Sequence, residues 1–289
     1  MKKILFMVTI ALISFFALSC KDCSEENPII QEDDGISWEQ ITGKIAYQKG
    51  NVLYLLDAET HSVVSLGASN LTNLKWNKTV GKITGIRFIN DSTYSLDGID
   101  LNGNYSEIND KINSKYYDWL PDGRLVTISK EEKITINDEV LLDQTFNPVF
   151  GLACSPNGKK IIVSTDNIIE NLLIEIDIST LSQVIKARNS NLFDSNFLQP
   201  LYSLESDDLF YVTYTYQFPN DDWVHHISSI PDIELADGKD PCRSDNLQKI
   251  LCTKVAWNSG RIIGIYSLDV DGSNSTELIE DGHTPIWIY

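Results

Sequence analysis

Several features that mark other protein classes are scarce in this sequence. The 16 Gly and 9 Pro residues make up about 9% of the 289-residue chain, below the average of about 12%, which excludes collagen-like and low-complexity proteins. Basic residues number 23 against 41 acidic residues, so the formal net charge is −18. Because phosphate binding requires a basic patch, this balance predicts that nucleic acid is not a partner.

Catalytic and cofactor motifs are also absent. The sequence contains no GxSxG or HExxH motif, no phosphate-binding loop and no dinucleotide fingerprint. The chain has four His and five Cys, and no CxxC motif or Cys/His cluster indicates zinc. The sequence therefore identifies no catalytic residue, and we expect neither a metal nor a cofactor.

The N-terminus, in contrast, carries an export signal. Lys2 and Lys3 precede an apolar run over residues 4–18, which is shorter than the roughly 20 residues of a spanning helix and is typical of a secretory signal. The run ends at Ser19 and Cys20, which resembles the lipobox of bacterial lipoproteins, where the Cys is lipidated and becomes the new N-terminus. We therefore predict a signal peptide over 1–19 and a membrane anchor through lipid on Cys20. The alternative is an ordinary cleaved signal with a coincidental Cys.

Residues 20–42 are mostly polar and acidic and predict a tether between the lipid and a folded domain. The charged residues after Cys20 are similar to the surface-export signal of some Gram-negative lipoproteins, and a plain solvated linker fits them as well. We therefore expect an extracytoplasmic protein anchored in the outer membrane. Display on the surface and orientation towards the periplasm both stay open.

The strongest signal is an internal repeat of about 40 residues. The tripeptides 121–123 (PDG) and 156–158 (PNG) each precede a basic residue and an apolar strand, which is typical of a tight turn between two strands. A second signature is an acidic or amide residue that follows an apolar strand, at Asp57, Asp100, Asn137, Asp177 and Asp269.

Large or apolar residues mark the same units along the chain. The markers of six successive units are Trp76, Trp119, Cys154, Tyr202, Trp257 and Trp287. Their mean spacing of about 42 residues predicts six units of four short strands, the arrangement of an all-β, six-bladed β-propeller. Cys154 is then a core residue. A two-sheet sandwich with fortuitous spacing is the alternative.

The repeat motifs also resemble a known family. WLPDGR (119–124), CSPNGKKIIVS (154–164) and IYSLDVDGSNSTELIEDGHTPIW (265–287) are similar to the repeats of TolB-type propellers. The resemblance covers residues 43–289 and implies one six-bladed propeller domain over that range. Members of this family serve as protein-binding domains, as propellers attached to peptidases and as carbohydrate-related proteins, so the fold alone names no function.

The phase of the repeat predicts how the ring closes. Residues 284–289 supply one strand at the end of the chain, whereas the domain begins with three strands, near residues 43–47, 52–56 and 62–66. One strand and three strands make a complete blade. The chain ends are therefore predicted to pair with each other and to leave no open sheet edge.

The region from Phe210 to Asp240 departs most from the repeat and holds the candidate ligand-binding residues. They are Asp221, Asp222, Trp223, His225 and His226. Carboxylates and imidazoles can bind a metal or exchange protons, although adjacent His side chains on a strand point to opposite faces. A polar loop at a blade edge explains the same cluster without any function.

Two further pairs are singled out by their spacing. Cys242 and Cys252 are ten residues apart around a polar stretch, and in an oxidising compartment they are a candidate disulfide across a hairpin-like loop. Tyr116 and Tyr117 precede a marker residue and are candidates to line a central funnel. Packing in the core is the favoured explanation of the two tyrosines.

These observations favour a lipid-anchored, non-catalytic binding or scaffold module with a protein or glycan partner. The alternative is a glycan-active enzyme, a glycosidase or polysaccharide lyase, that uses the propeller funnel. A glycosidase needs two carboxylates some 5–10 Å apart, and an acidic chain offers many candidates. A funnel lined by aromatic side chains and backbone would favour the binder, and a cleft focused on a His–carboxylate cluster would favour the enzyme.

Overall fold

The computed structural model describes residues 35–90, 93–167, 170–189, 197–202, 208–217, 222–230, 233–243, 249–256 and 261–289. Its strands form six sheets of four antiparallel strands each. The sheets are arranged in a ring, and the first strands of neighbouring blades lie side by side around the axis. The prediction of an all-β, six-bladed propeller is confirmed, and the two-sheet sandwich is excluded.

The strands follow one another blade by blade along the chain. Blade 1 contains β1 (Lys44–Lys49), β2 (Val52–Asp57) and β3 (Ser62–Ala68). Blade 2 contains β4 (Thr72–Asn77), β5 (Lys82–Asn90), β6 (Thr93–Asp100) and β7 (Tyr105–Ile112). Blade 3 contains β8 (Tyr117–Trp119), β9 (Leu125–Ile128), β10 (Ile134–Ile136) and β11 (Glu139–Val140). Blade 4 contains β12 (Val149–Cys154), β13 (Lys160–Asp166), β14 (Asn171–Asp177) and β15 (Gln183–Asn189).

The remaining strands complete the ring. Blade 5 contains β16 (Leu198–Tyr202), β17 (Leu209–Gln217), β18 (Asp222–Ser229) and β19 (Ile233–Asp237). Blade 6 contains β20 (Lys239–Arg243), β21 (Lys249–Val255), β22 (Ile262–Asp269) and β23 (Thr276–Glu280). The last strand, β24 (His283–Ile288), belongs to blade 1 and pairs with β1.

The pairing of β24 with β1 closes the ring as predicted. Trp287 lies opposite Ile45, and Ile286 lies opposite Ala46. The sheet order is β24-β1-β2-β3, so the last strand of the chain is the first strand of blade 1. This pairing satisfies backbone groups that would otherwise remain at an open edge.

The repeated turn residues act as the sequence predicted. Gly123 and Gly158 have φ values of +86° and +69°, a left-handed conformation that Gly adopts without a Cβ clash. Asp177 Oδ1 accepts hydrogen bonds from the backbone N–H groups of Ser179 (2.9 Å) and Thr180 (2.8 Å). These contacts fix the tight turns between consecutive strands of a blade.

The hydrophobic core is divided among the blade interfaces. In the described part of the chain, six clusters of buried apolar side chains each join two neighbouring blades. Cys154 is buried in the cluster between blades 3 and 4, as expected for a core residue. Because each blade buries both faces against its neighbours, the polar positions along the axis remain available to form a site.

One of the six unit markers was assigned wrongly. Trp257 lies outside the described residues and follows β21, the second strand of blade 6. The first strand of that blade is β20, and its corresponding position is Arg243. The steps from Tyr202 to Arg243 and from Arg243 to Trp287 are then 41 and 44 residues, so the repeat is more regular than its aromatic residues indicate.

Contact with the propeller begins within the segment predicted as a tether. Ile36 forms a β-bridge with Ile279 of β23, and the backbone N–H of Ser37 donates to the carbonyl of Leu278 (3.0 Å). Ile41 is buried in the cluster between blades 1 and 6. The segment from Gly35 to Thr42 therefore lies against blade 6, ahead of the predicted start of the domain at Gly43.

Candidate functional site in the central funnel

A cavity of about 670 Å³ lies where the first strands of the six blades converge. Its lining includes residues of β4, β12, β16, β20 and β24, together with residues from Lys115 to Asp118 around the start of β8. We call this cavity the funnel. Its volume is in the range of about 300–1,000 Å³ that is usual for ligand pockets.

Four of these first strands bulge where they border the funnel. Each contains one residue with positive φ, three positions before the marker position of its blade: Asn73 (+50°), Gln199 (+43°), Asp240 (+52°) and Thr284 (+50°). The register with the neighbouring strand shifts at all four places. A left-handed conformation costs a residue with a Cβ about 1–2 kcal/mol, and such strain is concentrated at functional sites.

Side chains at the bulges connect neighbouring blades. Asn73 Nδ2 donates to the carbonyl of Lys115 (2.8 Å), which belongs to the next blade. Gln199 Nε2 donates to Asp240 Oδ1 (2.7 Å), and the backbone N–H of Asp240 donates to Gln199 Oε1 (2.9 Å). The polar residues at these bulges therefore line the funnel and also hold neighbouring blades together.

The lining of the funnel includes both aromatic and basic side chains. The partly exposed aromatic residues are Trp76, Tyr116, Phe150 and Tyr289, and the lysines are Lys75, Lys115 and Lys239. Trp76 Nε1 donates to the carbonyl of Tyr289 (3.1 Å), and Lys115 Nζ lies 5.1 Å from the centroid of the Tyr116 ring. The funnel therefore combines broad apolar contact with positive charge, in a chain whose net charge is negative.

The described lining contains two carboxylates, and both already accept hydrogen bonds from the neighbouring blade. Asp118 Oδ2 accepts from the backbone N–H of Cys154 (2.8 Å), and Asp240 Oδ1 accepts from Gln199. These hydrogen bonds position the first strands of neighbouring blades relative to each other. The three lysines outnumber the two carboxylates, so the funnel favours an anionic ligand group.

Two histidines also line the funnel, one from blade 5 and one from blade 1. Burial lowers the pKa of His225, and Lys239 lowers it further. Burial also lowers the pKa of His283, against the opposing effects of the Gly50 carbonyl and Asp240. Both imidazoles are therefore neutral at pH 7, where each carries one N–H donor and one acceptor nitrogen. The nitrogens of His283 contact Thr284 Oγ1 and the Gly50 carbonyl.

The chain is similar in three dimensions to several solved propellers. TolB from Acinetobacter baumannii matches with a TM-score of 0.63 at 15% identity, over 85% of this chain and 66% of that chain. A chain of a nidogen–laminin complex matches with a TM-score of 0.57 at 10% identity, over 84% and 97%. A protein described as TolB from Agrobacterium tumefaciens matches with a TM-score of 0.53 at 11% identity, over 82% and 88%.

The fold is that of a six-bladed TolB-like β-propeller. At these identities the likeness concerns the fold alone, and the chain spans 66% of the length of the Acinetobacter TolB. No protein-family model matches the chain, and no curated protein matches its sequence.

The TolB-like propeller distributes the predicted site residues over different surfaces. Asp221 lies outside the described residues. Asp222 and Trp223 lie in β18, opposite Gln217 and Tyr216 of β17. His225 borders the funnel, whereas His226 is buried on the other face of the same strand. Of the two predicted residues whose side chains the structure describes, His225 lines the funnel and His226 does not. The interpretation of Asp222–His226 as an edge loop is wrong, because these residues belong to β18.

His226 contacts two carboxylates that the sequence analysis did not single out. Its Nδ1 lies 2.9 Å from Asp237 Oδ1 and 3.2 Å from Glu234 Oε1. Both carboxylates lie on β19, whose pairing with β18 is not apparent in the sequence motifs. The polar alternation of residues 226 and 228 was the available signal that this segment is a half-buried strand.

The remaining cysteine and tyrosine predictions have separate outcomes. Cys20 lies outside the described residues. Cys242 lies opposite Leu251, so the next residue, Cys252, points to the other face of the sheet. The two thiols accordingly pack in different clusters and form no disulfide.

The two tyrosines have different surroundings. Tyr116 lines the funnel. Tyr117 is buried, and its hydroxyl forms a hydrogen bond with Thr84 Oγ1 (3.0 Å).

None of the described residues belongs to a helix long and apolar enough to span a bilayer.

Proposed function

We propose that this protein is a non-catalytic binding module of the cell envelope, anchored by lipid on Cys20, which uses its funnel to hold a segment of a protein partner. In this proposal residues 1–19 are the signal peptide, residues 20–42 the tether and residues 43–289 the propeller. The funnel lining supports a binding role. Its aromatic side chains offer apolar contact, and its two described carboxylates are engaged between blades.

A protein partner fits the funnel better than a neutral glycan does. A peptide carries acidic side chains or a terminal carboxylate that suit the lysines of the lining, and apolar side chains that suit its aromatic residues. Lysine–carboxylate contacts gain strength where the surrounding walls have low polarity. The nidogen–laminin neighbour is a chain found in a complex with another protein, which supports a protein partner here.

The enzyme alternative receives less support from the same residues. A glycosidase needs one carboxyl group to donate a proton and a second to act as base or nucleophile. Asp118 and Asp240 each accept a hydrogen bond that holds neighbouring blades together. Catalysis by either carboxylate would have to proceed while one of its oxygens is held in that contact.

Affinity capture with the soluble fragment 21–289 tests the binding proposal. The fragment is incubated with a cell-envelope extract and, in parallel, with a glycan array, and captured proteins are titrated again after purification. We expect a protein partner whose affinity falls at least about tenfold in the Lys75→Glu variant, because one buried or half-buried charge contact is commonly worth 1.4 kcal/mol or more.

A matched charge reversal outside the funnel serves as the control. Lys159 is exposed in a turn of blade 4, so Lys159→Glu changes the net charge equally and should leave affinity unchanged. Equal losses in the two variants would indicate general charge repulsion. Release of shortened glycans by the fragment would instead favour the enzyme.

The anchor has a separate test. Cells expressing the full chain or the Cys20→Ser variant are fed a fatty-acid probe, and the purified proteins are compared. We expect labelling of the natural chain only. Unchanged labelling of the variant would remove the lipid anchor from the proposal and leave the funnel proposal standing.

A further inference from the structure

Beyond the funnel, blade 5 places one imidazole and two carboxylates around a single point. His226 lies opposite Asp237 in the pairing of β18 with β19. The register shifts after Ile227, so that Glu234 lies opposite Ser228 and reaches the same face. Nδ1 of His226 and one oxygen of each carboxylate all lie within 4.8 Å of one another. In the described part of the chain, this is the one group of three such side chains that meets that condition.

The imidazole nitrogen at the centre of this group, His226 Nδ1, has no hydrogen-bond partner. The His226 side chain is 10% exposed, and Nδ1 is shielded from solvent without a hydrogen bond of acceptable geometry. Nδ1 therefore lies close to Asp237 and Glu234 without the geometry of a hydrogen bond to either. A buried polar atom without a partner is unfavourable, and a bound cation would satisfy it.

Two of the three separations among these atoms are close to those of a tetrahedral metal site. With bonds of about 2.1 Å, the ligand atoms of tetrahedral Zn²⁺ lie about 3.4 Å apart. The distances from Nδ1 to the two carboxylate oxygens are 2.9 Å and 3.2 Å. Movements of a few tenths of an ångström would therefore suffice, and the exposed side chains can make them.

The exposure of the two carboxylate side chains gives an ion a path to the site. Asp237 is 33% exposed and Glu234 is 64% exposed, so an ion and a coordinating water can approach from the carboxylate side. Opposite His226, the first neighbour on β17 is Thr213, which is uncharged. The group thus combines two carboxylate side chains with one imidazole nitrogen.

We propose that His226, Glu234 and Asp237 form a site for a divalent transition-metal ion, with Zn²⁺ as the best match. One imidazole nitrogen and two carboxylate oxygens are ligands that Zn²⁺ accepts, and a water completes four-coordination. The ion ties β19, the outermost strand of blade 5, to β18. This proposal does not depend on the funnel or on its partner.

Metal titration of the full chain, purified in detergent and treated with a chelator, tests the site. Zn²⁺ binding is followed by calorimetry, and Co²⁺ serves as a spectroscopic probe because its visible absorption reports coordination number. We expect one equivalent of Zn²⁺ and a four-coordinate Co²⁺ spectrum. We also expect Zn²⁺ to raise the melting temperature, since the ion binds the folded state.

Isosteric substitutions identify the ligands. Glu234→Gln and Asp237→Asn keep the shape of partly exposed side chains, and together they should weaken Zn²⁺ binding by more than the roughly 10- to 100-fold that loss of one outer-shell contact costs. Glu139→Gln, an equally conservative change at an exposed position of β11, is the control and should bind normally. Since His226→Gln alters a buried position, its folding is checked by circular dichroism before titration.

Two results would overturn the proposal. One is the absence of stoichiometric Zn²⁺ binding by the full chain. The other is binding that persists unchanged in the Glu234→Gln/Asp237→Asn protein, which would assign the ion to the acidic surface in general.

Discussion

Blades 2 and 5 each bury a titratable side chain on the third strand of the blade, and they treat it in opposite ways. In blade 2, the Asp97 carboxylate is fully buried and accepts hydrogen bonds from Arg87 Nε (2.6 Å), Ser95 Oγ (2.5 Å) and the Tyr105 hydroxyl. In blade 5, His226 lies between two carboxylates and its Nδ1 lacks a hydrogen bond. The third strands of these two blades thus hold one completed network and one incomplete one.

The difference shows how structural and functional polar groups can be separated in a repeat protein. A buried charge is tolerated when the same blade supplies its counter-charge and hydrogen bonds. Burial raises the pKa of Asp97, but the hydrogen bonds from Arg87, Ser95 and Tyr105 bring that pKa below its ordinary value. A network that satisfies itself needs no ligand, whereas in blade 5 the His226 Nδ1 lacks a hydrogen bond that the proposed ion would replace.

The largest effect is expected when blade 2 loses its cation. Arg87→Met leaves the buried Asp97 carboxylate with two hydroxyl donors, and we expect the free energy of unfolding to fall by about 3 kcal/mol, the lower end for a broken buried pair because Arg87 is 39% exposed. Urea denaturation measures the loss. Arg124→Met breaks an exposed pair with Asp122 and should cost under about 1 kcal/mol. Equal losses in the two variants would show that Asp97 does not depend on its ion pair.

A smaller effect is expected from removal of one hydroxyl in the same network. Tyr105→Phe deletes a donor to Asp97, and a hydrogen bond to a charged group contributes about 1.5–3 kcal/mol, less where water replaces it. Because Tyr105 is on the exposed outer strand β7, we expect a loss of about 1.5 kcal/mol by urea denaturation. Tyr94→Phe, on the adjacent strand, is the control: its ring packs against Phe88, and the variant should keep wild-type stability.

A still smaller effect is expected in blade 5 when metal is excluded. His226→Leu removes the unsatisfied nitrogen and keeps a side chain of similar size, so in chelator the free energy of unfolding should change by less than about 1 kcal/mol. Urea denaturation with and without Zn²⁺ measures it, and only the natural chain should gain stability from the ion. A loss as large as that of Arg87→Met would mean that His226 is already stabilised as an ion pair, and the contrast between the blades would disappear.

The fold could be predicted from the sequence because its determinants are local. Turns such as 121–123 require residues with particular backbone preferences, and the unit length follows from four short strands and their turns. The closing of the ring follows from the incomplete first unit. Trp257 was chosen wrongly because an aromatic marker was expected, whereas blade 6 has Arg243 at that position.

The candidate sites could be predicted only in part because they depend on strand register. Glu234 and Asp237 follow His226 by eight and eleven residues, and a register shift in the pairing of β18 with β19 is needed to place both beside it. The funnel collects residues from all six blades. In four of the blades a bulge lies three residues before the marker position. The Pro that follows Gln199, Asp240 and Thr284 was a visible signal of those bulges.

The last prediction compares His226 with a second imidazole whose nitrogens both have partners. His283 Nδ1 lies 3.0 Å from Thr284 Oγ1, and Nε2 lies 3.3 Å from the carbonyl of Gly50. Burial lowers the pKa of His283, and Lys239 adds to this, while the Gly50 carbonyl and Asp240 oppose it. The folded protein therefore holds this imidazole neutral at pH values where the unfolded chain, with an ordinary pKa of about 6.5, already binds a proton.

The sign of the pH dependence follows from that difference. As the pH falls below about 6.5, the unfolded state takes up the proton first, so stability decreases until the pH reaches the lower folded-state pKa of His283. His283→Gln removes this titration, and its stability should fall less steeply between pH 7 and pH 5 when measured by urea denaturation. Asp177, whose pKa is lowered to about 2, titrates well below that window. An unchanged slope in the variant would show that the fold does not hold His283 in its neutral form, and a slope that becomes steeper would mean that Asp240 outweighs burial and stabilises the imidazolium.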